Sequence, residues 1–172
     1  MTLWTPSHRA DALPRLLADR HYSRQKPGTP QFVKPGRCFV LKASRAVWVT
    51  SWPFAQYVKH AWAGAWVNSC FRREGGRDMA SEMILQAVAA TRWYWPEIPD
   101  LGLITFVDES KVRSKEHVSF CYRKAGFRHV GFTKAGLWAF QLLPSEMPEP
   151  MEPLKSIKPV LQMSMWLEGV PL

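Results

Sequence analysis

Apolar positions change spacing several times along the chain, and each change marks an element. Over residues 7–24, Ala10, Leu13, Leu16, Leu17 and Ala18 recur at helical spacing. Ser7 is a candidate cap, and Pro14 moves the helix start towards itself if it occupies the first turn. Residues 24–36 are rich in Pro, Gly and charge and read as a loop. Residues 37–43 and 46–52 are short β-prone runs on either side of a tight connection. Residues 53–59 follow neither period, and the second half of 61–71 reads as a strand. Met79, Met83, Ile84, Ala87, Val88 and Thr91 predict a helix from Met79 to about Trp93, capped by Asp78 and stopped by Pro96 and Pro99. The continuous apolar run 101–107 has the length of a buried strand. Residues 116–125 predict a short helix with Gly126 just past its end, and 128–132 with 137–143 a closing hairpin.

Strands joined through helices imply an α/β (α+β) domain with a mixed sheet flanked by helices. One domain over 1–143 accommodates these elements. Residues 144–172 form a Pro/Met-rich tail holding Pro144, Pro148, Pro150, Pro153 and Pro159. That tail is expected to pack on the domain, as a wrap or as a contact in a homodimer. No internal repeat is visible. No uncharged apolar run approaches the ~18 residues of a membrane span, so no membrane association is expected. The first 14 residues lack the apolar stretch of a secretory signal. Cys38, Cys70 and Cys121 are odd in number and share no CxxC spacing. They argue against a disulfide framework and a zinc site, and for buried thiols in a reducing cytoplasm; no metal is expected.

Charge narrows the class of partner. The chain carries +9 overall. Its tail sets four glutamates against two lysines, so the body before it carries +11. Such a body favours an anionic partner, nucleic acid first among them.

Three segments carry candidate chemistry. Arg72, Arg73, Gly75, Gly76 and Arg77 lie in a turn that leads into a helix with Ser81 in its first turn. A glycine-bearing turn opening a helix offers free backbone N–H groups and a positive dipole end to phosphate. Tyr122, Gly126 and Phe127 form a second segment, followed by Gly131. Gly suits a left-handed helix terminus, Phe returns to the core, and a phenol can act as a proton donor. His21, Tyr22 and Arg24 end the first helix beside the polar loop, where a histidine can serve as a base.

Together with a strand ending in Asp108, these segments resemble the GNAT acyltransferases, and more closely the GNAT-like Mom proteins of phage Mu and related phages. The likeness covers roughly residues 18–143. The Tyr-x-x-x-Gly-Phe ending matches the last helix of many GNAT enzymes. The turn from Arg73 to Asp78 matches the Arg and first Gly of the family's pyrophosphate turn and departs at its last position. Lys115 stands where the family usually has Asn. The resemblance implies a GNAT-like sheet with splayed strands forming a cofactor cleft. It also implies an acetyl-CoA or related acyl-CoA cofactor, a bacterial cytoplasmic setting and double-stranded DNA as partner. The implied reaction adds a carbamoylmethyl-type group to adenine N6 and protects DNA from restriction.

The resemblance carries catalytic roles to His21, Tyr22, Asp108 and Tyr122, and cofactor contacts to Arg72, Arg73, Gly75, Gly76, Arg77 and Ser81. Tyr122 is the expected acid for a departing thiolate, and Asp108 or His21 the acceptor of the N6 proton. Arg24, Lys26, Lys111, Arg113 and Lys115, with Arg123, Lys124 and Arg128 near the last helix, are expected to meet DNA phosphates. The target base must leave the stack, and Trp48, Trp52, Trp62 and Trp66 are candidates to hold it. Two other classes stay open: an N-acetyltransferase of small amines or peptides, and a non-catalytic DNA-binding protein.

Overall fold

The computed structural model describes residues 3–20, 34–111 and 119–155. It opens with a short strand, β1 (Thr5–Ser7), and a helix, α1 (Ala12–Asp19). The expected helix from residue 7 therefore starts later. Ser7 pairs with Val40 across the sheet instead of capping. Asp11 takes the cap position, but its carboxylate is held elsewhere. Ser7 Oγ and Lys42 Nζ both donate to its Oδ2 at 2.6 Å. Pro14 falls in the first turn of α1, where its missing N–H costs nothing.

β2 (Gly36–Ala43) and β3 (Ala46–Pro53) form an antiparallel hairpin. Alternation sorts β3 onto two cores. Ala46 and Trp48 face α2 (Ala80–Tyr94), while Val47 and Val49 join Leu17 and Ala18 of α1 on the other side. β4 (Trp66–Arg73) runs antiparallel to β3, with a register shift that leaves Ser69 as an extra residue. β4 leads into α2, whose cap position is Met79 and not the expected Asp78. The Asp78 backbone carbonyl accepts from the Arg73 guanidinium, and no side chain caps this helix.

β5 (Leu103–Val107) is the single parallel neighbour in the sheet, paired with β4. α3 (Phe120–Lys124), β6 (Arg128–Phe132) and β7 (Trp138–Leu142) follow. The result is a mixed α+β fold with three helices among the described residues. Its seven-stranded open sheet has the order β1-β2-β3-β4-β5-β7-β6 and is antiparallel except at β4–β5. β7 inserts between β5 and β6, so the final hairpin folds back onto the sheet centre.

The larger core lies between the sheet and α2 with α3. It includes fully buried Trp4, Trp48, Trp66 and Phe140, large apolar side chains whose removal from water drives folding. Trp4 Nε1–H donates to the Met83 carbonyl at 2.8 Å. Residues 144–155 lie against the same layer, where Met151 N–H donates to the Ala89 carbonyl and Leu154 N–H to that of Trp4. The three cysteines are free, and only Cys70 is fully buried. Burial nonetheless pushes the Cys38 thiol up to about 11 and raises that of Cys121, so both are poor nucleophiles.

Candidate functional site

The β4–β5 pairing covers three residue pairs and ends at Asn68 with Thr105. Beyond that point β4 continues to Arg73 paired with β3, and β5 to Val107 paired with β7. A polar cluster sits where the two strands part. Asn68 Nδ2 donates to the carbonyls of Val49 (3.1 Å) and Cys70 (3.0 Å), across the extra residue of β4. Two carbonyl partners fix which end of the amide is nitrogen. Its Oδ1 accepts from Tyr122 Oη (2.6 Å) and from Thr105 Oγ1 (3.3 Å). All four hydrogen-bonding positions of the amide are thus used. Asn68, Thr105 and Tyr122 are all buried. The sequence reading missed Asn68, although a polar residue in the middle of an apolar strand was its available signal.

Tyr122 reaches this place because α3 ends in a Schellman motif. Phe127 N–H donates to the Tyr122 carbonyl (3.0 Å) and Gly126 N–H to that of Arg123 (3.0 Å). Gly126 has φ 98°, a left-handed conformation that favours glycine. Phe127 then packs edge-on against the Tyr122 ring at 5.3 Å.

The turn between β4 and α2 holds Gly75 (φ 84°) and Gly76 (φ 105°). A Cβ on Gly76 would meet nothing within 4 Å, so this backbone is open to close approach. Arg72 is engaged locally: its Nε donates to Glu74 Oε1 (3.0 Å) and its Nη1 to the Arg20 carbonyl (2.8 Å). Arg77 is exposed beside the start of α2, while Ser81 is buried in the first turn. Asp108 follows β5, and its Oδ1 accepts from the backbone N–H (3.0 Å) and hydroxyl (2.6 Å) of Ser110. Lys111 is exposed nearby. His21, Tyr22, Arg24, Lys26, Arg113 and Lys115 lie outside the described residues.

On the α1 face of the sheet, Asn68 also borders a cavity of about 800 Å³. Its lining includes Ser51, Ser69, His60, Trp62, Phe106 and Phe132, with Lys34, Lys59 and Lys134. Of the four tryptophans expected to hold a base, only Trp62 borders this cavity. Trp48 and Trp66 are fully buried in the core against α2, and Trp52 stacks edge-on against Trp66 at 6.0 Å. Arg123 and Arg128 are also partly committed. The first guanidinium lies 5.0 Å over Phe140, and the second binds Glu146 at 2.5 Å.

No known family, curated protein or solved structure matches the chain. Among the described residues no three His, Cys, Asp or Glu side chains gather as a metal-binding group. None of the described helices is long and apolar enough to cross a membrane.

Proposed function

We propose that the chain is a GNAT-type transferase that modifies adenine N6 in DNA in the manner of the Mom proteins. The observation that carries this reading is the Tyr122–Asn68 contact: a phenol held at the point where the single parallel strand pair separates. The strand order, the extra residue in β4 and the glycine turn into α2 support it further.

The opening of α2 suits the pyrophosphate of an acyl-CoA. The helix has 15 residues, its cap residue makes no side-chain hydrogen bond to the first N–H groups, and Gly76 leaves the backbone open. Arg73, Arg77 and these N–H groups would hold the phosphates, with Arg72 bracing the turn through Glu74 and Ser81 behind it. Bound there, the coenzyme would carry the group to be transferred on its sulfur and would leave as the thiolate once that bond breaks. Tyr122 is the proposed acid towards the leaving group; until then its hydroxyl donates to Asn68 Oδ1. Asp108 or His21 is the proposed acceptor for the N6 proton. Tyr22 is the proposed neighbour of that base, and Arg24, Lys26, Lys111, Arg113 and Lys115 the proposed phosphate contacts.

The cavity lining favours this reading over transfer to small cationic amines. Its described residues carry three lysines and no carboxylate, so a protonated amine would meet like charge. Mass spectrometry of nucleosides from cells expressing the chain tests the proposal. A modified adenine that disappears with Tyr122→Phe is the expected result. Unmodified DNA together with acetyl-CoA turnover on amines would replace this reading with the N-acetyltransferase one.

A further inference from the structure

We infer that the cavity on the α1 face is a nucleobase pocket, with the base stacked among Trp62 and Phe106, His60 donating a hydrogen bond to it, and flanking phosphates on Lys34, Lys59 and Lys134. The inference rests on the DNA reading above and, beside the expected Trp62, assigns residues to it that neither motif nor charge had singled out.

The walls are flat and apolar. His60 and Phe106 rings lie 4.8 Å apart, and Trp62 lies 6.0 Å from Phe106. Trp62 is set in place by Gly131 of β6, where a Cβ would lie 3.5 Å from its six-membered ring. Such rings accept any base, because every base has a π-face. A volume of about 800 Å³ falls within the range of small-ligand sites and takes one base with its sugar.

The polar groups match this occupant. The backbone N–H of Trp62 donates to His60 Nδ1 at 3.1 Å, so that nitrogen carries no proton and the neutral ring bears it on Nε2. Burial, with Lys34 nearby, lowers the His60 pKa and keeps the ring neutral. His60 is therefore a donor, suited to the acceptor nitrogens on a base edge, and it acts as a positioning residue. The three lysines are exposed and make no ion pair with any described residue. A ring acceptor flanked by phosphates satisfies both features at once, whereas a purely apolar ligand satisfies neither.

Photocrosslinking locates the base directly. A duplex carrying one 8-azidoadenine is irradiated with the full chain, and adducts are mapped by peptide mass spectrometry. Adducts are expected on residues 60–62 or on Phe106. Trp62→Ala and Phe106→Leu should each cut the yield at least fivefold while duplex affinity, read by anisotropy, changes less than twofold. His60→Ala should do the same, and His60→Gln, which keeps an N–H donor, should restore much of the yield. Adducts confined to other segments, unchanged yield in these variants, or no binding of the duplex overturn the inference. An adduct in the pocket without modified adenine in cells keeps the pocket and removes the enzymatic reading. Wild-type levels of modified adenine in Trp62→Ala, with adducts elsewhere, do the reverse.

Discussion

At the scale of single residues, Asn68 and Tyr122 form an unequal pair. Tyr122→Phe removes one hydrogen bond, yet Asn68 Oδ1 keeps Thr105 as a partner. The expected cost is about 1 kcal/mol, with the fold intact and most of the proposed transfer activity gone. Asn68→Ala instead leaves the Tyr122 hydroxyl and the Val49 and Cys70 carbonyls without this partner in a buried place, and about 2–4 kcal/mol is expected. Urea unfolding of the two variants checks the order, and an equal or reversed ranking removes Asn68 from the centre of this cluster. His60 gives a pH signature. Burial holds its folded pKa below the ordinary 6.5, so the unfolded chain binds the proton first as pH falls. Stability present above pH 6.5 is then lost as pH falls towards the folded pKa. Thermal unfolding at pH 7.5 and 5.5 should show this loss, and His60→Gln should reduce it; an identical loss in the variant removes His60 as a source.

At the scale of elements, two glycines predict different penalties. Gly102 has φ 65°, and a Cβ there would come within 2.1 Å of the Leu142 carbonyl oxygen. Gly126 has φ 98°, but its Cβ would meet only the Leu142 side chain at 3.5 Å. Gly102→Ala should cost more than ~2 kcal/mol because backbone must move, and Gly126→Ala about 1 kcal/mol from the left-handed conformation alone. Denaturation midpoints of the two variants decide it. The same contrast between local and tertiary causes explains what was legible in the sequence. β2, β3, β5 and the final hairpin follow from their own apolar runs and turn residues, and Tyr122 from the Gly126–Phe127 ending. β1 was not legible, because Thr5, Pro6 and Ser7 have no strand pattern and pair only because β2 is there. Neither was the insertion of β7 between β5 and β6, which no local spacing encodes. His60 and Trp62 lie in a stretch without periodicity, and β4, Phe106 and Gly131 give them their place. Trp48 and Trp66 looked equal to Trp62 until strand alternation turned them into the core.

At the scale of the whole molecule, the question is where the excess positive charge acts. Several acids are already answered within the fold: Asp11 by Lys42, Glu74 by Arg72 and Arg20, and Glu146 by Arg128. Lys34, Lys59 and Lys134 have no such acid among the described residues and surround one opening. If they contact phosphates, each displaces about 0.9 of a condensed counterion from duplex DNA. Replacing all three by Gln should therefore lower the slope of log affinity against log salt by about 2–3, with little effect on folding because all three are exposed. Replacing Lys42, which is bound to Asp11, should leave that slope within about 0.5 of the parent while costing some stability. Duplex binding measured by anisotropy across a series of KCl concentrations separates the two. Equal slopes for the triple variant and the parent would mean that DNA passes elsewhere on the basic body and that these lysines serve no phosphate.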